Sequence, residues 1–304
     1  MKKRVLALGA AAVLALSLTA CGSSQKTETT AAAADTTAAG SEAAADTTAA
    51  SGEKTVIKLR VVGENNEQWQ PVIDKLAEEN IDLELVKFAD YPLPNRALND
   101  GEIDLNAFQH KAFLANDVAQ KGYDIVDIGD TIIAPLSIYN NKKKISSIEE
   151  IKDGDVIAIP SDLTNGGRAL KLLEEAGFIV CDPEKGYVPT KADITEYKVK
   201  IDIKEAESAT LANILPDCAA AIINGGNAFT AGLNPVEDSI YTENVDPSTN
   251  EAVPQLINVI AARTADRDNE VYKKIVDAYH TPEVKKTIED EYQGAFICAW
   301  DDAE

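Results

Sequence analysis

The sequence predicts an α/β fold built in two lobes, and three observations support this prediction. Strand and helix patterns alternate from Thr55 to Glu304, as is typical of α/β domains. Those 250 residues are enough for one large core or for two intertwined domains, and we favour two. The first three elements are a strand, a helix and a strand in direct succession. A right-handed βαβ unit and a mostly parallel sheet are therefore expected.

Each element is predicted from the spacing of its apolar residues. The first unit consists of strands at 56–62 and 81–88 around a helix at 70–79, which has apolar residues on one face. Further strands are predicted at 123–128, 131–138, 155–159, 198–203, 218–223 and 256–261. Further helices are predicted at 95–99, 111–120, 164–176 with Gly177 as its C-cap, and 269–292 with a break at Thr281-Pro282.

The N-terminus has the pattern of a lipoprotein signal. Basic residues 2–4 precede an apolar run over 5–20, and Leu18-Thr-Ala-Cys21 closes the run as a lipobox. The run has 16 residues, fewer than the roughly 20 that span a bilayer. We expect a signal peptide at 1–20, and acylation of Cys21, for example with palmitate, that anchors the protein on the extracytoplasmic face of the cell membrane. The alternative is an ordinary secretory signal with a chance cysteine.

Residues 21–54 are predicted to be a lipid-anchored, disordered linker. They are mostly Gly, Ser, Thr, Ala, Asp and Glu, and Ala-Asp-Thr-Thr-Ala-Ala occurs at 34–39 and again at 45–50. This composition cannot build a core. Such a flexible chain has a root-mean-square span of roughly 30 Å, which would hold the folded part close to the membrane.

The composition excludes several classes of function. The formal charge is −22, and removal of the three positive charges of the signal makes it about −25, so nucleic acid and anionic membrane surfaces are poor partners. Beside Cys21 the chain has Cys181, Cys218 and Cys298, which allow one disulfide and require none. Without CxxC or HExxH, and with two histidines, the chain has no metal-binding pattern. We therefore expect no metal and no cofactor.

Four segments, in this order along the chain, resemble the NlpA-type methionine-binding lipoproteins, the substrate-binding components of methionine ABC importers. They are Phe88-Ala-Asp-Tyr-Pro-Leu-Pro-Asn95, Asp100-Gly-Glu-Ile-Asp-Leu-Asn-Ala-Phe-Gln-His-Lys-Ala-Phe-Leu114, Ile159-Pro-Ser-Asp-Leu-Thr-Asn-Gly-Gly-Arg-Ala-Leu170 and Ala231-Gly-Leu-Asn-Pro235. The resemblance covers nearly all of 55–304. It implies a type II periplasmic-binding-protein fold, in which two α/β lobes are joined by two crossovers and the ligand lies in the cleft.

The resemblance also implies a division into lobes and a set of partners. We place the crossovers near 135–139 and 234–241, so that lobe 1 comprises 55–135 and 242–304 and lobe 2 comprises 136–241. The implied ligand is methionine or a related amino acid, and the implied partners are the membrane subunits of an ABC importer. We expect a monomer that is not an enzyme.

Arg168 is the predicted partner of a ligand carboxylate. It stands where a strand enters a polar, glycine-bearing turn that opens a helix, and such a helix start presents free backbone N–H groups to an anion. Its planar guanidinium can pair with a carboxylate through two hydrogen bonds. Asn165 is expected to shape the turn around the anion. The alternative is an N-cap loop with a solvated arginine.

Asn224 is the predicted partner of a ligand ammonium, because it follows the predicted strand at 218–223 and ligands often bind at the carboxyl ends of strands. The family commonly has Asn-Gly-Asn-Tyr here, whereas this chain has Asn224-Gly-Gly-Asn227. The alternative role for Asn224 is that of a turn residue.

A pocket for the ligand side chain is predicted from aromatic residues and one imidazole. Tyr91, Phe108, His110 and Phe113 fall on neighbouring loops and strand ends, and a thioether packs well against aromatic rings. The family usually has tyrosine at position 113. Trp69 either narrows this pocket or stands at a helix start. Alternatively, the aromatic residues belong to an ordinary hydrophobic core. His110, taken by itself, has a structural role as the alternative to binding ligand.

Three classes of function suit an exported α/β protein. The first is a receptor for an amino acid, with methionine favoured and another amino acid or a small peptide as the alternative. The second is an exported enzyme, but the chain has no nucleophile elbow, recognisable carboxylate pair or metal spacing. The third is a structural or adhesive lipoprotein, but the only low-complexity segment is the linker. The sequence favours the receptor.

Overall fold

A computed structural model describes residues 54–300 of the chain. The predicted signal peptide, Cys21 and all of the predicted linker except Lys54 therefore lie outside the described residues. Within 54–300, no helix has the length and apolar character needed to cross a bilayer.

The described chain alternates strands and helices, with short 3-10 turns between them. The strands are β1 (Thr55–Val62), β2 (Ile81–Phe88), β3 (Leu105–His110), β4 (Ile125–Ile133), β5 (Leu136–Asn140), β6 (Val156–Pro160), β7 (Ile179–Cys181), β8 (Ile194–Tyr197), β9 (Asp202–Ala206), β10 (Ala220–Asn224), β11 (Ser239–Thr242), β12 (Ile257–Arg263) and β13 (Ile297–Cys298). The helices are α1 (Gln70–Ala77), α2 (Pro94–Asn99), α3 (Lys111–Lys121), α4 (Leu163–Glu175), α5 (Leu211–Ile214), α6 (Gly225–Thr230), α7 (Val253–Leu256), α8 (Glu270–Tyr279) and α9 (Pro282–Tyr292).

Two mixed sheets form the centres of the two α/β lobes. The sheet of lobe 1 has the strand order β13-β4-β12-β3-β1-β2, and the sheet of lobe 2 has the order β11-β5-β10-β6-β9. The parallel pairs are β1 with β2 and β3 in lobe 1, and β6 with β9 and β10 in lobe 2. The expectation of a mostly parallel sheet was wrong. In lobe 1, β12 follows the return of the chain from lobe 2 and pairs antiparallel with both β3 and β4. In lobe 2, β5 pairs antiparallel with β10 and β11.

The chain passes between the sheets twice. The first passage is at Ala134-Pro135, directly between β4 and β5. The second follows β11, after Thr242, and was predicted too early at 234–241. Its position is fixed by the pairing of Ser239–Thr242 with β5, which keeps this segment in the sheet of lobe 2. The exact division of the chain into lobes at 135 and 241 stays a proposal.

Local packing explains two further differences from the predicted elements. Strand β4 is continuous where two strands, at 123–128 and 131–138, were predicted. Gly129 interrupts the apolar sequence pattern, but β4 continues through it with a shift of register against β12. A glycine is needed here because a Cβ would lie 2.7 Å from a methyl group of Val276 on α8. Strand β9 begins at Asp202 instead of 198, because the amides of Lys198 and Val199 both donate to the carbonyl of Phe178 in a turn.

The elements that carry the cavity residues begin and end at recognisable signals. Helix α3 begins at His110, whose imidazole accepts from the amide of Phe113, and ends at Gly122 in the left-handed conformation. Gly177 was predicted as the C-cap of α4, but Ala176 takes that position and Gly177 follows it with φ of 86°. Each lobe has its own apolar core, with Leu59 and Ile275 fully buried in lobe 1 and Ile159 and Leu173 fully buried in lobe 2. These cores hold the carboxyl ends of β1, β3, β6 and β10 in place.

Candidate functional site

A cavity of about 100 Å³ lies between the lobes, at the carboxyl ends of the parallel strands. It is large enough to hold several water molecules or a small organic ligand. All eight residues predicted to bind ligand line it: Trp69, Tyr91, Phe108, His110, Phe113, Asn165, Arg168 and Asn224. The structure therefore brings the predicted residues together, and their contact with a ligand stays a prediction.

Asn165 is oriented by the residue that caps its helix. Asp162 precedes α4, and its Oδ1 accepts from the backbone N–H of Asn165 at 2.9 Å and from the Asn165 side-chain Nδ2 at 3.0 Å. One of the N–H groups that were expected to be free for an anion is thus used by the protein. With Nδ2 directed at Asp162, the Oδ1 of Asn165 is left as an acceptor on the cavity side. The sequence predicted the helix start but not this orientation.

The Asn165 oxygen in turn orients Asn224. The Nδ2 of Asn224 donates to Asn165 Oδ1 at 2.9 Å. The other amide atom of Asn224, Oδ1, is buried and has no hydrogen-bond partner among the described residues. An unpaired buried carbonyl oxygen costs roughly 1–3 kcal/mol, so a donor that reaches it from the cavity would be favoured. This geometry suits an ammonium or another N–H group. Asn224 is the last residue of β10 and also the N-cap of α6.

Arg168 is buried, not solvated. Its side chain is 4% exposed and forms a bidentate ion pair with Glu243, whose side chain is 9% exposed. Arg168 Nε donates to Glu243 Oε1 at 3.1 Å, and Nη2 donates to Oε2 at 2.5 Å. Nη2 also donates to the carbonyl of Ala134 at 3.4 Å. The alternative of a solvated arginine is therefore wrong.

The glycines that precede Arg168 are required by close backbone contacts. A Cβ on Gly166 would lie 2.9 Å from the carbonyl oxygen of Pro160, and one on Gly167 would lie 2.8 Å from the backbone of Tyr187 and Val188. Substitution at either position would push the first turn of α4 away from its neighbours. The Gly166-Gly167 pair thus allows Arg168 to reach the cavity from a tightly packed helix.

The rings form one cluster on the lobe 1 side of the cavity. Tyr91 stacks on Phe108 with ring centroids 5.9 Å apart, and Phe113 meets Phe108 edge-on at 5.8 Å. These are favoured geometries for aromatic pairs. Trp69 is 1% exposed, packs on Tyr279 at 4.7 Å and forms the wall between the cavity and the core of lobe 1. Trp69 thus both stands at the start of α1 and lines the cavity.

His110 is neutral, and its tautomer follows from its contacts. Nδ1 accepts from the backbone N–H of Phe113 at 3.1 Å, so the ring proton lies on Nε2. Nε2 is 3.3 Å from Asn165 Oδ1, to which it donates across the cleft. Burial and the nearby Arg168 charge lower the pKa of His110 to about 3, although the hydrogen bond to Asn165 opposes this shift. His110 is therefore both a helix cap and part of the cavity wall.

Several cavity residues were missed by sequence reasoning. Asn258 on β12 lines the cavity and donates through Nδ2 to the carbonyl of Ile132 at 3.1 Å. Tyr292 lines it as well, and its hydroxyl donates to Gln68 Oε1 at 2.6 Å. Asn227, one of the residues that departs from the family pattern, donates to the hydroxyl of Tyr91 at 3.2 Å. The strand prediction at 256–261 was the one available signal for Asn258.

Within residues 54–300, no three His, Cys, Asp or Glu side chains are grouped so that they could hold a metal ion. Cys181 and Cys218 are buried free thiols of lobe 2. Burial is the main reason that the pKa of each thiol is raised. Neither residue lines the cavity.

Comparison with known proteins agrees with this architecture. A family model described as NlpA lipoprotein matches residues 57–300. Outer membrane lipoprotein 3 of Mannheimia haemolytica is 41% identical over 246 residues, which are 80% of this chain and 90% of that protein. The D-methionine-binding lipoprotein MetQ of Salmonella typhimurium (strain LT2) is 38% identical over 248 residues, which are 80% of this chain and 88% of that protein.

A solved structure with a similar fold contains a ligand. It is a nutrient-binding protein from Burkholderia cenocepacia bound to methionine, which is 37% identical to this chain and superposes with a TM-score of 0.74. The match covers 80% of this chain and 100% of that one. The fold of this chain is thus that of the substrate-binding proteins, with two α/β lobes around a cleft.

Proposed function

Because the chain belongs to the NlpA lipoprotein family, we propose that it is an extracytoplasmic receptor that binds methionine and delivers it to an ABC importer. The observation that carries this proposal is the buried Oδ1 of Asn224, which lines a cavity and has no partner among the described residues. An α-ammonium would supply the missing donor. The relatives named above for methionine binding support the same ligand.

In this proposal the two ends of the ligand meet different lobes. The ligand carboxylate pairs with Arg168 and the ammonium donates to Asn224, both in lobe 2. The thioether side chain packs against Phe108 and Phe113 of lobe 1, because sulfur makes favourable contacts with aromatic rings. Asn165 supports the site from lobe 2 and His110 from lobe 1, and the hydrogen bond between them crosses the cleft.

A ligand that contacts both lobes stabilises the closed arrangement, and the importer would recognise that closed form. The lobes of this structure already contact each other across the cleft. Tyr91 bonds to Asn227 at 3.2 Å, and the rings of Phe229 and Phe296 meet at 5.4 Å. We further propose that the chain is a binding protein without catalytic activity, that it acts as a monomer, and that Cys21 carries its lipid anchor.

A small peptide or another amino acid is the second candidate, and one observation favours it. A Cβ on Gly226 would meet no atom within 4 Å, although Gly226 lines the cavity. The chain therefore has open space where the family commonly has asparagine. A substituent on the ligand nitrogen would fit more easily there than beside a larger side chain.

Calorimetry on residues 55–304, unfolded and refolded to remove bound ligand, tests the proposal. We expect L- or D-methionine to bind in the micromolar range or tighter, and leucine to bind more weakly. Dipeptides that contain methionine test the second candidate in the same experiment. If another amino acid binds and no form of methionine does, the methionine assignment is wrong while the receptor class stands.

A further inference from the structure

Glu243 is a charged residue with a largely buried side chain that the sequence did not single out. It follows Thr242, the last residue of β11, and so begins the second passage between the lobes. Its carboxylate holds two nitrogen atoms of Arg168, at 3.1 and 2.5 Å. Both side chains are less than a tenth exposed. A buried ion pair of this kind seldom stabilises a protein more than apolar residues of the same size would, so its position in the fold needs another explanation.

Glu243 is also tied to the first passage between the lobes. Its Oε2 accepts from the backbone N–H of Leu136 at 3.1 Å. Its own backbone N–H donates to the carbonyl of Leu136 at 2.9 Å. Leu136 begins β5, two residues after Ala134, whose carbonyl accepts from Arg168 Nη2. Both connections between the lobes and helix α4 therefore meet at one ion pair.

These contacts determine which edge of Arg168 is available. A guanidinium has five N–H groups in a fixed plane. Glu243 and Ala134 take Nε and Nη2, and none of the hydrogen bonds between described residues uses Nη1. Since Arg168 lines the cavity, Nη1 is the atom left for an anion there. A long side chain held in one conformation loses less entropy on binding than a free one.

We propose that Glu243 is a positioning residue, which holds the guanidinium of Arg168 so that Nη1 is presented to the ligand carboxylate and links that contact to both passages between the lobes. This inference rests on the proposed function, because it requires a ligand with a carboxylate at Arg168. Glu243 itself touches no ligand in this account. Its effect on binding passes through Arg168.

Two other roles for Glu243 predict different results. If it acted only through its charge, it would repel the ligand carboxylate, and its neutral variant would bind methionine more tightly. If it only stabilised the fold, its variant would lose affinity for every ligand to a similar degree. Positioning predicts a loss confined to ligands that have the carboxylate. Methioninol, which keeps the ammonium and the thioether but has no carboxylate, separates these cases.

The test is calorimetry on the mature chain carrying Cys21→Ser, so that it is purified without lipid. In Glu243→Gln, the shape is kept, but the amide nitrogen replaces either Oε1, which accepts from Arg168 Nε, or Oε2, which accepts from both Arg168 Nη2 and the Leu136 N–H. At least one contact to Arg168 is therefore lost in either orientation. We expect methionine affinity to fall about tenfold to a hundredfold, since small displacements in a binding site have effects of this size. Methioninol affinity should change less than about threefold, because its neutral hydroxyl cannot form an ion pair with Arg168.

Thr242→Val is the matched control. Thr242 pairs through its hydroxyl group with the hydroxyl groups of Ser137 and Ser239, each at 3.0 Å, beside the same passage, and none of the hydrogen bonds between described residues joins it to Arg168. Loss of the Thr242 hydroxyl group should leave the affinities for methionine and methioninol within about threefold of wild type. If Glu243→Gln does not fold, Glu243→Asp replaces it. The shorter carboxylate cannot reach both Arg168 and Leu136, and the same selective loss is expected.

Each outcome decides the inference. Unchanged or tighter binding of methionine by Glu243→Gln would overturn it, and so would equal losses for methionine and methioninol. In both cases the wild type still binds methionine, so the proposed function stands. If the wild-type chain binds neither stereoisomer of methionine, the proposed function is wrong and the role of Glu243 is wrong with it.

Discussion

The two walls of the cavity differ in chemistry. The lobe 2 wall presents amide and guanidinium groups from Asn165, Arg168 and Asn224, each oriented by a further hydrogen bond. The lobe 1 wall presents the rings of Phe108 and Phe113, which form an apolar surface with few polar groups. Under the proposed function, the lobe 2 wall recognises the groups that all amino acids share, and the lobe 1 wall selects the side chain. Changes in the two walls should therefore have different consequences.

The largest expected effect is that of Arg168→Ala. Loss of a charge-assisted contact costs roughly 2–4 kcal/mol, which is about 30-fold to 1000-fold in methionine affinity measured by calorimetry. The variant also leaves Glu243 buried without its partner, so the free energy of unfolding should fall by about 3–5 kcal/mol.

The double variant Arg168→Met with Glu243→Leu separates these two losses. It removes both buried charges, so most of the stability measured by thermal unfolding should return while the affinity stays low. Binding by Arg168→Ala within about threefold of wild type would show that Arg168 does not contact the ligand.

A somewhat smaller effect is expected for Asn224→Leu, which removes the unpaired Oδ1. A hydrogen bond to a charged group contributes about 1.5–3 kcal/mol, so methionine affinity should fall about tenfold to 150-fold. Asn224→Asp keeps an oxygen toward the ammonium but loses the donor to Asn165, and should bind better than the leucine variant. If the Asp and Leu variants bind methionine equally weakly, the side-chain oxygen of residue 224 does not accept a hydrogen bond from the ligand.

Changes in the lobe 1 wall should alter selectivity more than affinity. Phe108→Leu removes a ring beside the proposed thioether, and sulfur–aromatic contacts contribute about 0.3–1.5 kcal/mol. The preference for methionine over norleucine, which has a methylene in place of sulfur, should therefore fall about twofold to tenfold. Arg168→Ala should weaken both ligands equally. A change of preference in the arginine variant and none in Phe108→Leu would reverse the assignment of the walls.

The smallest expected effect concerns pH. The pKa of His110 is lowered to about 3, so the imidazole stays neutral and methionine affinity should be nearly constant from about pH 5.5 to 8. The folded state binds fewer protons here than the unfolded state, so the contribution of His110 to stability falls as pH falls from about 6.5 toward 3. His110→Gln should have a shallower loss of stability over that range. An affinity that titrates near pH 6.5 would contradict a neutral His110.

The residues that could be predicted from the sequence lie at strand ends. Arg168 and Asn224 follow apolar runs that predict strands, and parallel strands bring their carboxyl ends to one edge of a sheet. Phe108 lies within β3, a strand that the sequence analysis did not predict. All eight predicted residues line one cavity, but this local rule accounts only for Arg168 and Asn224. The others were chosen for their aromatic or imidazole side chains and for the family resemblance. The alternation of elements likewise predicted an α/β fold without any knowledge of strand order.

The residues that could not be predicted depend on long-range pairing. Glu243 reaches Arg168 across 75 positions in the chain, and Asn258 enters the cavity because β12 inserts between β3 and β4. No local pattern encodes such an insertion. The same insertion made the sheet mixed. The orientation of Asn165 was also out of reach, because it depends on which amide atom Asp162 engages.

A crystal structure of the chain grown with methionine tests the division between the walls most directly. We predict the ligand carboxylate within hydrogen-bond distance of Arg168 Nη1, the ammonium at Asn224 Oδ1 and the sulfur against the rings of Phe108 and Phe113. A ligand in the reverse orientation, with its carboxylate toward lobe 1 and its thioether against Arg168, would contradict the account.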